Sequence, residues 1–404
     1  LRSARPGAEV TCIDLSGRTA FGTIMVRNRT LALAVLKALP RPLAQSLVSY
    51  KLGRMLNRFE PAWKQAVEGA GLAVIGGGQI LSDADLNFCL KIARAARVLQ
   101  AEGCPVVVHA AGVARNWSPR GRALFRRLLD CDLRAVGLRD SPSIAAWQDQ
   151  IGPGGPQPHL TRDPALIAAE VYDVPASGNG RTGLCVTDPR ILTYHAEGRQ
   201  AAVSGSGTFS EIALTLVARG HGVTLFCNGA AEDRTALRAI RQHPDIAAAM
   251  AGGQITAEPP PATPADLAAI IGRQSAVVAH RLHACILGYA FRRPIVGLGW
   301  DRKLESFFQS VGLEEMFLPA AELTPQRVAG RLEAAQAAGI DPARHAEVLA
   351  ETRAAISGIF ESCGQPPRSM RKGSAHGGGR SHPGSGQGYN AQPAARCRRF
   401  PTVR

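Results

Sequence analysis

From Val10 onward, short aliphatic runs alternate with longer stretches whose apolar residues recur at helical spacing, the pattern of βα units on a parallel sheet. The runs VTCIDL, LAVIGGG, PVVVHAAG and LRAVGL predict four strands in the first half. In the helix expected between the second and third runs, Leu86, Cys89, Leu90, Ala93, Ala96 and Leu99 share one face, and Lys91, Arg94 and Arg97 the other. Gly103 and Pro105 close that helix, and Val106 opens the next strand. The glycine run after LAVI should give way to helix near Ser82 or Asp83, while Ser118-Pro119 and Ser141-Pro142 read as N-cap and first helical residue of two further helices.

Two Gly- and Pro-rich breaks, IGPGGPQPHLTRDPA and VPASGNGRTG, interrupt the alternation, which then restarts with the strands GLCVTD, GVTLFCNG, SAVVAH and PIVGLGW. Thr263 and Asp266 have capping-box spacing ahead of SAVVAH, and helices from Pro325 and Pro342 end the folded region. The expected architecture is α/β, with two Rossmann-like parallel-sheet lobes facing across a cleft: an N-terminal lobe over residues 1–172, a C-terminal lobe over 180–362, and a basic tail over 363–404.

The chain carries a net charge of +15, but eight of its cations lie after Cys363 in a Gly-, Ser- and Pro-rich segment with no acidic residue. Such a tail cannot bury enough apolar surface to fold, and without RGG repeats or interleaved aromatics it does not point to specific nucleic-acid binding. The nine cysteines include no C-x-x-C pair, and most sit in apolar strands and helices, so neither a zinc site nor a disulfide framework is expected. No segment reads as a secretory leader or a membrane span, and the expected location is cytoplasmic.

Parallel sheets bind ligands beyond the carboxyl ends of their strands, so the polar residues there carry the functional question. Gly76, Gly77 and Gly78 end one strand, where the backbone N–H groups either cradle an anion or simply make a tight turn. Arg139 ends another and could grip a carboxylate or phosphate, or pair with Asp140. SAVVAH delivers Arg281 and His283 to a helix start, which suits a phosphorylated, acidic ligand. After PIVGLGW stand Asp301, Arg302 and Lys303; Asp301 could orient Lys303 or act as an acid or base, and periodicity does not decide which of the two cations is only a solvated helix-start residue.

GGGQILSD, VGLRDSPS, TRDPA and AHRLHACILGYAFRRPIVGLGWDRKLESFFQSVGL, in that order over roughly residues 70 to 315, resemble the polysaccharide pyruvyl transferase family. The resemblance implies transfer of pyruvate from phosphoenolpyruvate to a sugar as a cyclic ketal in exopolysaccharide synthesis, with no cofactor. It implies that Arg281 and His283 grip phosphoenolpyruvate, that His283 protonates carbon or the leaving phosphate, that Arg139 and Lys303 hold the remaining oxyanions, and that Asp83 and Asp301 are weaker candidates for receiving the acceptor's protons. The acceptor is a sugar or lipid-linked oligosaccharide, so contact with a membrane surface is expected only through it. Members of the family open with a strand and a Gly-Asn-x-Gly-Asp loop, whereas this sequence begins at what reads as the second strand. The competing expectations are a nucleotide-sugar glycosyltransferase, which needs a ribose-binding carboxylate that EDRTALRA supplies poorly, and an inactive sugar-binding relative.

Overall fold

The computed structural model describes residues 1–2, 4–16, 40–83, 85–152, 155–174, 178–188, 207–300 and 302–362. Its first half comprises α1 (Arg41–Val67), β1 (Ala73–Gly76), α2 (Asn87–Ala101), β2 (Val106–Ala111), α3 (Pro119–Phe125), β3 (Leu133–Leu138), α4 (Ser141–Ile151), β4 (Pro158–Leu160) and a 3-10 segment over Pro164–Glu170. The second half runs through β5 (Arg181–Cys185), α5 (Gly207–Ala218), β6 (Gly222–Phe226), α6 (Ala231–Arg241), α7 (Pro244–Ala251), β7 (Ile255–Ala257), α8 (Pro264–Gly272), β8 (Ala276–Ala279), α9 (Leu282–Ala290), β9 (Ile295–Leu298), α10 (Arg302–Ser310), β10 (Phe317–Leu318), α11 (Pro325–Ala338) and α12 (Pro342–Glu361).

The strands form two all-parallel sheets within one compact unit. The first has the order β1-β2-β3-β4, and the second the order β10-β9-β8-β5-β6-β7. Numbered from β5, the second sheet runs 3-2-1-4-5-6 from β7 to β10, the doubly wound order in which the chain reverses direction between β5 and β8. Strict alternation along the strands divides the core of this lobe. Cys185, Val277, Ala279 and Ile295 face one apolar cluster with α9, and Leu184, Val278 and Val296 face the other with α5 and α11. Cys89, Cys104, Cys131, Cys185, Cys227 and Cys285 are all buried as small apolar groups.

The last helix crosses back toward the first sheet. Arg162 pairs with Glu351 of α12, Arg353 of α12 donates to Glu170 at 2.9 Å, and the Ser310 carbonyl accepts from both Arg162 and Arg344. Between α12 and strands β2 to β4 lies a cavity of about 550 Å³ whose walls include His109, His159 and Thr161. His109 is buried, and burial, with His159 nearby, lowers its pKa against the pull of Asp163.

Several local expectations are corrected. VTCIDL is not a strand, because among the described residues it has no neighbour to complete a ladder; instead Leu15 packs on the first core and Ser16 accepts from Lys91. That bond buries Lys91, which the helical pattern had placed on the solvent face. α2 begins at Asn87 rather than near Ser82 or Asp83, and Asp140 rather than Ser141 caps α4, by accepting from the Ser143 N–H at 2.8 Å. The Ser118 cap and the Thr263–Asp266 capping box form as expected. The tail from Cys363 lies outside the described residues.

Phe308 fills the space that Gly297 leaves open: a Cβ at 297 would stand 2.4 Å from its ring. Phe308 is fully buried against Phe307 and Phe317, so Phe308→Ala should lower unfolding free energy by roughly 3–5 kcal/mol in urea melts.

Candidate functional site

Polar side chains gather at the carboxyl ends of both sheets. On the first, β1 runs into Gly76-Gly77-Gly78. A Cβ at Gly76 would lie 2.3 Å from the His109 carbonyl oxygen, and Gly77 and Gly78 hold φ of +83° and +60°, so each glycine is required by the backbone itself. The turn locks onto the end of β2 through Gly112 N–H to Gly78 C=O at 2.9 Å. Arg139, at the end of β3, lies across this junction. Its Nη2 donates to Gln79 at 2.7 Å and its Nε to Asp140 at 3.1 Å, and a Cβ on Gly112 would come within 2.9 Å of the guanidinium. The structure therefore joins Arg139 to the glycine turn, and also makes the Asp140 ion pair that the sequence left as an alternative.

Asp83 is placed differently. Its carboxylate accepts from the Leu86 N–H at 3.0 Å and from both the N–H and hydroxyl of Ser118, at 2.8 and 2.5 Å. It fastens the segment after the glycine turn to the start of α3, the work of a structural carboxylate rather than of an open base.

On the second sheet, Arg281 takes the N-cap position of α9 without capping it through its side chain. Its Nε and Nη2 donate instead to the two oxygens of Asp233, at 2.9 and 2.7 Å. Asp233 lies in the first turn of α6, is fully buried, and also accepts from the Asp188 N–H at 3.0 Å. Burial acts to lower the Arg281 pKa, but the hydrogen bonds and charge of Asp233 outweigh it and hold it above its usual value. Arg281 stands at the helix start as expected, but it is held within its own lobe by Asp233, with 20% of its side chain exposed. His283, one residue into the first turn, is half exposed, and its Nε2 lies 3.9 Å from Oδ2 of Asp163. Asp163 belongs to the segment that leaves β4, so this pair joins the carboxyl edges of the two sheets. Lys303 lies partly buried in the first turn of α10, and Asp301 falls outside the described residues.

Beneath Arg281, His280 is fully buried edge-on to Phe209, and neither ring nitrogen has a partner among the described residues. The Thr187 hydroxyl, beyond the end of β5, is likewise buried and unpartnered among the described residues. Burial, with the Arg281 charge beside it, drops the His280 pKa to about 3 and keeps the imidazole neutral. Sequence reasoning missed His280, Thr187 and Gln79, and it met Asp163 only as part of TRDPA and Asp233 only as part of EDRTALRA, where it was weighed as a poor ribose-binding carboxylate. For Asp233 the available signal was an acidic residue opening the helix after a buried strand. Among the described residues there is no group of three or more His, Cys, Asp or Glu able to hold a metal ion, and no helix long and apolar enough to cross a membrane.

The family model for polysaccharide pyruvyl transferases matches residues 1–302, a span that contains the ends of β1, β3, β8 and β9. The chain belongs to the polysaccharide pyruvyl transferase family. No curated protein matches the chain. Among solved structures, the E. coli heptosyltransferase WaaC with ADP is similar at 12% identity and a TM-score of 0.41, covering 69% of this chain and 78% of that one. A putative UDP-N-acetylglucosamine 2-epimerase from Listeria monocytogenes gives 14% identity and a TM-score of 0.44, with 78% and 80% covered. The trehalose 6-phosphate synthase of Burkholderia multivorans gives 14% and 0.44, with 76% and 72% covered. Likeness this low says nothing about what a pyruvyl transferase chain binds.

The buried His280 generates a pH dependence. Below about pH 6.5 the unfolded chain takes up a proton here that the folded chain refuses until about pH 3, so stability is lost as pH falls through that window and is unaffected by this residue above it. Urea melts at about pH 7 and about pH 4 should therefore show a larger loss for the wild type than for His280→Asn.

Proposed function

We propose that this transferase moves pyruvate from phosphoenolpyruvate onto two hydroxyls of a sugar in a polysaccharide or its lipid-linked precursor, working in the cytoplasm and meeting a membrane only through the acceptor. The observation that carries the reading is the His283–Asp163 pair, a half-exposed imidazole facing a carboxylate at the carboxyl edges of both sheets. It stands beside a fixed guanidinium and the positive end of α9.

Phosphoenolpyruvate brings a phosphate and a carboxylate, and each calls for N–H donors. In the proposed arrangement the free edge of Arg281 and the first-turn N–H groups of α9 take one anionic group, and Arg139 and Lys303 take the other, beside the glycine turn. The reaction then needs a proton on the methylene carbon, which becomes the methyl group and leaves an electron-poor C2. One sugar hydroxyl adds to C2 and a second displaces phosphate, closing the ketal. Of the two protons the hydroxyls release, one replaces the proton given to carbon and the other leaves with phosphate. His283 is the group suited to pass that proton, because an imidazole can both give and take one and its Nε2 lies 3.9 Å from the Asp163 carboxylate. Asp301 is kept as the candidate for receiving an acceptor proton. Asp83 is not, because its lone pairs already hold Leu86 and Ser118.

A nucleotide-sugar glycosyltransferase would need a free carboxylate in the second lobe for the ribose hydroxyls. In EDRTALRA, Asp233 is fully buried and engaged by Arg281, which speaks against that alternative.

The test is phosphate release from phosphoenolpyruvate with lipid-linked or nucleotide-linked sugar acceptors. His283→Ala should lower kcat by roughly 10²–10⁴-fold with an unchanged melting temperature, since the side chain is half exposed. A variant turning over at the wild-type rate would remove His283 from the chemistry.

A further inference from the structure

Asp233 is a carboxylate that the reaction just described does not use, yet it makes the most direct contact with the site. It is fully buried, and both of its oxygens are taken by Arg281, with the Asp188 N–H adding a third bond. A guanidinium has two edges that can each hold a pair of oxygens. One is the side edge formed by Nε and Nη2; the other is the end edge formed by Nη1 and the second proton of Nη2. Asp233 occupies the side edge. Among the described residues no other bond to the guanidinium is made, which leaves the end edge for a ligand on a side chain that is still 20% exposed. We propose that Asp233 is a positioning residue for phosphoenolpyruvate: it fixes the rotamer of Arg281 so that the guanidinium meets one oxyanion of the substrate end-on, beside the first turn of α9. The proposal rests on the function given above and deepens it by assigning a residue outside the Arg281-Leu282-His283 segment.

Two physical consequences separate this role from that of a simple buried ion pair. The pair is electrically neutral, so its hold on the substrate depends on aimed N–H groups rather than net charge, and a lysine at 281 cannot supply the fork. The orientation also comes from a residue on a different helix: α6 follows β6 whereas α9 follows β8, and β5 lies between those strands. Any shift of the α6 first turn is therefore transmitted directly to the substrate oxygens. The Asp188 N–H matters for the same reason, because it stops the carboxylate from rotating with the arginine.

The experiment compares Asp233→Asn, Arg281→Lys and the double variant with the wild type in calorimetric titration with phosphoenolpyruvate and in steady-state turnover. Asp233→Asn should raise KM for phosphoenolpyruvate about tenfold or more while kcat changes less than KM, because the lost orientation acts on binding. In the Arg281→Lys background, Asp233→Asn should add less than about twofold, since its effect runs through the arginine fork; a merely structural carboxylate would weaken both backgrounds by the same factor. If Asp233→Asn fails to fold, Asp233→Glu takes its place, with the same pattern expected. Wild-type binding of phosphoenolpyruvate together with an unchanged KM in the folded Asp233 variant overturns this assignment alone. A wild type that neither binds nor turns over phosphoenolpyruvate overturns the proposed function and the assignment together.

Discussion

The carboxyl edge of the second sheet depends on one buried ion pair. Taking a guanidinium and a carboxylate out of water is unfavourable for each alone, and removing one partner of such a pair typically costs about 3–5 kcal/mol because the other charge is stranded. Asp233 and Arg281 meet that requirement with two well-formed bonds and a third from the Asp188 backbone. The pair ties the start of α6 to the start of α9, and between them runs the β5 end, with Thr187 and Asp188. That is where a doubly wound sheet leaves its crevice.

The first sheet reaches a comparable rigidity by other means. Three glycines with backbone reasons for being glycine bring β1 against the end of β2, and Gly112 leaves just enough room for the Arg139 guanidinium to pass over. Fixed geometry of this kind lets a site meet a ligand without first rearranging.

How much of this was legible follows from how local each signal is. The alternation of buried strands with amphipathic helices, the Ser118 cap and the Thr263–Asp266 box are all written within a few residues of where they act, and they form as the sequence indicates. The RLH segment was legible for the same reason: its residues sit at a strand end and a helix start. The partner of Arg281 was not, because 48 residues separate it from Asp233 and only the strand order brings them together. Lys91 was misplaced because periodicity assigns a face, and a face that meets Ser16 is not solvent. VTCIDL has the composition of a strand, but strand formation needs a neighbour, which composition does not report.

The belt of arginines around Ser310 carries a mechanical corollary. Arg162, Arg344 and Arg353 bind the segment after β4, the end of α10 and the whole of α12 into a single block. Asp163 directly follows Arg162, so the carboxylate beside the imidazole at 283 is seated by the last described helix as well as by its own strand.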